Sequence, residues 1–126
     1  MRDSTIIAVD FDGTLCENKY PEIGEPNTML LNYLIKRREA GDKVILWTCR
    51  VDEKLQAAVE WCKDKGLVFD TVNENLPELI KAFNNDTRKI YADVYLDDRA
   101  AIPRFINKPK EITYGLPDDP YSIVFD

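Results

Sequence analysis

The sequence predicts an α/β fold built on a central, mostly parallel sheet, and three observations carry the prediction. Short apolar runs alternate with helix-patterned segments, which is the signature of βαβ units. Four of those runs end in polar residues: Asp10 and Asp12, Thr48 and Arg50, Asn73 and Glu74, Asp97 and Asp98. Open α/β sheets bind ligands outside the carboxyl ends of their strands, so polar residues gathered there mark a site. Finally, 126 residues with 44% hydrophobic content suffice for one domain, residues 1–126, with a real core. No repeat, low-complexity tract or linker divides them.

The elements follow in order. "IIAVD" is the first strand, Ile6 to Asp10, and Pro21 to Pro26 reads as a loop or small flap. A helix is expected from about Thr28 to Ala40, capped by Asn27 or Thr28 and stopped at Gly41, with Leu30, Leu31, Leu34 and Ile35 inward. "KVILWT", Lys43 to Thr48, is the second strand. Asp52 suits the N-cap of the next helix, whose Leu55, Ala58, Val59 and Cys62 recur at i, i+3, i+4 and i+7 before Gly66. "LVFDTV" is a third strand, and the turn "NEN" leads to a short helix from Pro77 to about Phe83. "ADVYLDD" is the fourth strand and "EITYG" a fifth, while "YSIVFD" is a further strand or a docking tail.

Composition removes several function classes. The net charge of -6 argues against a sequence-independent grip on nucleic acid, which needs a basic surface. The triplet Lys36-Arg37-Arg38 reads as the solvated end of a helix. Three cysteines, Cys16, Cys49 and Cys62, make no disulfide framework, and a reducing, cytoplasmic setting fits them. The apolar run near the N-terminus is too short for a signal peptide, and no run approaches the ~18 apolar residues of a membrane span. Histidine is absent, which excludes Ser-His-Asp triads, Cys-His dyads and His-ligated zinc. No arginine follows a cysteine at the Cys-x5-Arg spacing of cysteine phosphatases, so Cys49 reads as a packing residue.

Asp10 and Asp12 sit two apart at a strand end and can share one space, on which Asp97 and Asp98 can close. Up to four carboxylates together demand a counter-charge. An all-oxygen set without His or thiolate favours Mg²⁺ over zinc, and Mg²⁺ takes phosphate oxygens as further ligands. Gly13 allows a sharp turn whose amides can form an anion-holding nest. Thr48 can give a hydroxyl hydrogen bond to a phosphate oxygen, and a lysine would complete the charge. Such equipment suits phosphoryl transfer, in which a carboxylate can act as nucleophile.

"DFDGTL", "ILWTCR" and "VYLDDR" resemble the first, second and fourth motifs of the haloacid dehalogenase-like (HAD) phosphatase superfamily. The resemblance covers about Ile6 to Arg99, and "NENLPE" with "RKIYADVYLDDR" is similar to small bacterial and phage HAD-like hydrolases. It implies a Rossmann-like three-layer α/β sandwich and a Mg²⁺-dependent phosphomonoester hydrolase working through an aspartyl-phosphate. Asp10 would be the nucleophile and a Mg²⁺ ligand. Asp12 would be the general acid/base, with its backbone carbonyl on the metal. Thr48 would hold the phosphoryl group, Asp97 would bind Mg²⁺, and Asp98 would bind it or orient its water. The motif lysine is Lys89 or Lys81, with Lys89 favoured. An extended chain from Lys89 to Asp97 would put that lysine at the wrong end of the sheet unless it bends before Asp93. Arg50 and Arg99 either grip substrate phosphate or pair with the acidic cluster, and Asn73 and Glu74 are rim or turn residues.

The intervals between motifs leave no room for a cap domain, so the resemblance is to a capless member. An open site of that kind implies a macromolecular substrate or a neighbouring subunit that closes it. "LDDR" also resembles the phosphatase half of phage polynucleotide kinases, which keeps a 3′-phosphorylated nucleic-acid end in view against the acidic net charge. Two rivals remain. A signalling receiver domain shares the acidic pocket, and "NKPK" resembles its Lys-Pro, but receivers carry adjacent acids after the first strand. A catalytically inactive HAD-like binding module is the other.

Overall fold

A computed structural model describes residues 4–101, together with the strand backbones at 104–105 and 112–113. The chain runs β1 (Ile6–Val9), β2 (Cys16–Lys19), β3 (Glu22–Pro26), α1 (Thr28–Glu39), β4 (Lys43–Leu46), α2 (Asp52–Asp64), β5 (Thr71–Val72), α3 (Pro77–Phe83), β6 (Val94–Leu96), β7 (Arg104–Phe105) and β8 (Ile112–Thr113).

The central sheet has the order β5-β4-β1-β6, and every pairing in it is parallel. β1 lies inside, with Ile7 opposite both Val44 and Val94, and all four of its residues are buried. Buried strands of parallel sheets read as continuous apolar runs, as "IIAV" and the "VIL" of β4 do. Alternation splits these runs between two cores. Ile7, Val9, Val44 and Leu46 meet Leu31 and Leu34 of α1 and Ala58 and Cys62 of α2. Ile6, Ala8 and Ile45 face the other way, toward Leu76, Leu79 and Ile90.

The helices follow their caps and stripes. The Asn27 side chain accepts from the Leu30 amide, and Leu31 and Leu34 are the buried residues of α1. The basic triplet lies in the last turn of that helix; there Arg38 forks onto Asp70 at 3.0 and 3.2 Å, and Arg37 pairs with Asp42. Asp52 is not the cap of α2. The first helical bond runs from Leu55 to the Val51 carbonyl, so Val51 occupies that place without a side-chain bond, and Asp52 begins the helix at a φ of 53°. α3 begins at Pro77 and ends at Phe83 as expected.

Three segments differ from the sequence reading. The expected flap is half of an antiparallel hairpin, β2 with β3. Of "LVFDTV" only Thr71–Val72 pairs in the sheet, because Leu67 is buried in the helix-side core and Asp70 is committed to Arg38 and the Val44 amide. Ile112–Thr113, within "EITYG", pairs antiparallel with β7 and does not extend the central sheet. "YSIVFD" and "NKPK" lie outside the described residues. Among the described residues no helix is long and apolar enough to cross a membrane.

Candidate active site

The carboxyl ends of β1, β4 and β6 open onto a cleft of about 470 Å³. Asp10 follows β1 directly, and Asp97 and Asp98 follow β6. β1 and β6 are paired in register from Ile7–Val94 to Val9–Leu96, so the acidic residues just beyond them arrive side by side. Asp10, Asp97 and Asp98 each offer a carboxylate oxygen within 4.8 Å of the others. An all-oxygen trio of this spacing fits a hard divalent cation.

Electrostatics mark the same spot. Burial, with Asp97 beside it, pushes the Asp10 carboxyl up to about 6; the Phe11 amide and the Thr14 hydroxyl pull it down, and Asp98 adds to the rise. Thr14 ties the two motifs together. Its hydroxyl donates to Asp10 Oδ2 at 3.2 Å and accepts from the Asp98 amide at 3.1 Å. Sequence reasoning passed over Thr14, although it stands within "DFDGTL". Gly13 has a φ of +87°, and a Cβ there would collide with the Asp98 carboxylate. Glycine therefore serves both the turn and the close approach of the second motif.

One expectation about this loop is corrected. The amides that follow Gly13 are not open for a nest: those of Thr14 and Leu15 donate to the Phe11 carbonyl, and that of Gly13 itself donates to the Cys16 carbonyl. All four carboxylates line one cleft, but Asp12 stands outside the close trio of Asp10, Asp97 and Asp98. Both Asp12 oxygens accept from Arg50, Oδ2 from Nε and Oδ1 from Nη2, each at 2.8 Å. The chain leaves the strand after Val9, so the two-residue alternation no longer aims Asp12 with Asp10.

Arg50 is buried, and its remaining donors go to backbone carbonyls. Nη1 donates to Pro21 at 3.2 Å and Lys54 at 3.4 Å, and Nη2 donates to Glu22 at 3.0 Å. Its guanidinium carbon lies 5.0 Å from the Phe11 ring centre and 5.1 Å from that of Tyr20. All five N–H donors of a guanidinium are thus used. Arg50 pairs with Asp12 and fastens the β2–β3 hairpin to the cleft, where Asn18 and Tyr20 form part of the wall.

Thr48 also faces the cleft. Its amide donates to Asn73 Oδ1 at 2.8 Å, and its hydroxyl accepts from the Arg50 amide at 3.1 Å, leaving the hydroxyl hydrogen to be donated elsewhere. Asn73 lines an adjoining hollow with Asp10, Thr48 and Asp97. Glu74 lines neither; its carbonyl accepts from the Thr71 hydroxyl at 2.6 Å. Cys49, expected as packing, is exposed and lines both hollows. Cys16 and Cys62 are buried, and burial pushes the Cys62 thiol up to about 12.

The structure does not bring Lys89 into the cleft. Asp93 and Ile6 bond at the amino-terminal end of β1, opposite the site, and Ile90 is buried beneath the sheet. Lys89 is held on that flank, with its ammonium 5.5 Å from the centre of the Tyr95 ring. Lys81 is exposed on α3 and does not line the cleft either. Arg99 does line it, on the turn that carries Asp97 and Asp98.

A solved structure, that of a conserved protein coded by a locus from Bacteroides thetaiotaomicron, is similar to this chain with a TM-score of 0.69 and 40% sequence identity, over 78% of each chain. The two proteins belong to one family. The likeness carries the α/β fold with it and names no reaction. No family model and no curated protein matches the chain.

Proposed function

We propose that the chain is a HAD-like, Mg²⁺-dependent phosphomonoester hydrolase. The observation that carries this reading is the convergence of Asp10, Asp97 and Asp98 beside Thr48 at the carboxyl ends of neighbouring parallel strands. Asp10, Asp97 and Asp98 would hold the cation, which would supply the positive charge that lets a dianionic phosphate approach the carboxylates. Asp10 attacks phosphorus, the P–O bond to the leaving alcohol breaks, and an aspartyl-phosphate forms. Thr48 donates its hydroxyl hydrogen to a phosphoryl oxygen. Asp12 is the group to protonate the leaving oxygen and then to take a proton from the attacking water, and this duty requires one of its Arg50 bonds to open. Water then releases orthophosphate and restores Asp10.

The finer fold assignment is a Rossmann-like three-layer sandwich without a cap. It is supported by helices on both sheet faces and by the interval from Asp12 to Thr48, which holds only the hairpin, α1 and the sheet strand β4. In chain order the parallel strands read 3-2-1-4, whereas receiver domains follow 2-1-3-4-5, which weighs against a receiver. The substrate is a phosphorylated small molecule or macromolecule, and the three unpaired cysteines suit a reducing, cytoplasmic setting.

Among the described residues no lysine lines the cleft, which favours one second reading, an inactive HAD-like module that binds Mg²⁺ and phosphate without turnover. A hydrolysis screen over sugar phosphates, nucleotides, phosphopeptides and 3′-phosphorylated oligonucleotides decides between the two. Repeated turnover that needs Mg²⁺ and vanishes in Asp10→Asn is expected. Undiminished turnover in chelator, or in Asp10→Asn, overturns the mechanism.

A further inference from the structure

The charge inventory of the cleft is uneven. Among the described residues four carboxylates line it, from Asp10, Asp12, Asp97 and Asp98, against two cations, Arg50 and Arg99. Asp12 and Arg50 cancel one another in a forked pair, and every Arg50 donor is already bonded. Among the described residues that leaves three carboxylates facing one guanidinium without a side-chain partner, that of Arg99. A divalent cation held by the trio, with Arg99 beside it, would bring these described residues to neutrality before a phosphate enters. Without Arg99, a negative charge would remain to repel a dianion.

Arg99 is also placed for the task. Its amide donates to Asp97 Oδ1 at 2.9 Å, and the Ala100 amide donates to the Asp97 carbonyl at 3.3 Å, so the turn that holds two of the carboxylates also fixes the Arg99 backbone. Its side chain is exposed at the cleft and makes no hydrogen bond or ion pair with the described residues. Neither Lys89 nor Lys81 lines the cleft.

We infer that Arg99 is the phosphate-gripping cation of this site and does there the work that the HAD resemblance gives to a lysine. The inference rests on the phosphomonoesterase reading for its role in turnover, but the predicted contact is with phosphate itself. A guanidinium can present two parallel N–H donors to two phosphoryl oxygens, a geometry that an ammonium does not offer. Arg99 would bind the oxygens on which charge accumulates as the P–O bond breaks.

Two readouts on wild type, Arg99→Ala, Arg99→Lys and Lys89→Ala test it. The first is calorimetric titration with inorganic phosphate in the presence of Mg²⁺; the second is kcat/KM for p-nitrophenyl phosphate. Arg99→Ala is expected to weaken phosphate binding at least tenfold and to lower kcat/KM by about 10²-fold, the usual loss for one such donor. Arg99→Lys should recover part of both, because it keeps the charge and loses the fork. Phosphate binding by Arg99→Ala equal to that of wild type overturns the inference, as does a loss that falls on Lys89→Ala instead, or a wild type that binds no phosphate. If wild type turns over no phosphomonoester, the proposed function fails on its own, and the phosphate titration still decides Arg99.

Discussion

Replacing Asp97 with asparagine should make the metal-free protein more stable. Asp97 and Asp10 offer oxygens within 4.8 Å of one another, and the Asp97 charge is one of the causes that raise the Asp10 carboxyl to about 6. Two unit charges at that separation repel by about 1 kcal/mol in water and by about 3 kcal/mol at an effective dielectric of about 20. Asp97 is exposed, so the lower figure applies. The substitution leaves the local turn intact, since an asparagine Oδ1 can still accept from the Arg99 amide as Asp97 does at 2.9 Å. A gain of about 1 kcal/mol raises Tm by roughly 3–6 °C in a chain of this size. Scanning calorimetry in chelator measures it directly. Adding Mg²⁺ should reverse the order, because a ligand at 100 times its Kd stabilises by about 2.7 kcal/mol and the variant binds it more weakly. A variant that melts below wild type in chelator would show that Asp97 serves the fold through its turn, and that like-charge repulsion is not what shapes this site.

Arg50→Ala should cost about 3 kcal/mol, as expected when one partner of a buried pair is removed, with urea unfolding as the measurement. Arg50→Lys should recover little of it, because three donors cannot replace five; a lysine variant as stable as wild type would contradict the role given to the carbonyls of Pro21, Glu22 and Lys54. The Asp10 carboxyl sets a pH dependence. Its folded value of about 6 lies above the ordinary 3.8, so the folded state keeps a proton that the unfolded chain has lost between those values. Its contribution to stability is therefore fully present below about pH 4 and is lost as pH rises through about 6. A shift of this size corresponds to about 3 kcal/mol for a dry group and about 1 kcal/mol for a half-exposed one screened by solvent. Metal-free Asp10→Asn should thus gain on wild type by about 1 kcal/mol between pH 4 and pH 7, and parallel stability curves for the two proteins would refute the assignment.

Local pattern carried much of the fold. The apolar runs of β1 and β4, the Asn27 cap and the Leu31–Leu34 stripe of α1, and the proline that opens α3 are all properties of neighbouring residues. The β2–β3 hairpin was not legible, because "CENK" has one buried residue and three exposed ones and shows no apolar alternation. It forms through backbone pairing, helped by Gly24, where a side chain would collide with the Glu17 carbonyl. In the site, Asp10, Thr48, Asp97 and Asp98 could be read from strand ends, since parallel register alone brings them together. The direction of a long side chain could not. Arg50 and Arg99 look alike in sequence, each directly after a motif, yet one finds Asp12, 38 residues away, and the other finds no partner among the described residues. The flank on which Lys89 lies likewise depends on how Ile90 packs against Leu76 and Ala8.

The bond from the Asp98 amide to the Thr14 hydroxyl spans 84 residues. On a ribosome, β1, the hairpin, α1 and β4 emerge long before β6, and they bring Asp10 and Thr48 without the other two carboxylates of the trio. Contacts of such sequence separation form late, after the cost of closing the loop has been met. A nascent chain therefore passes through its exposed, aggregation-prone stage with no assembled cleft. The step that seats β6 beside β1 adds the last described strand of the central sheet and two of the three clustered carboxylates together, so that an assembled cleft reports that synthesis has passed residue 98.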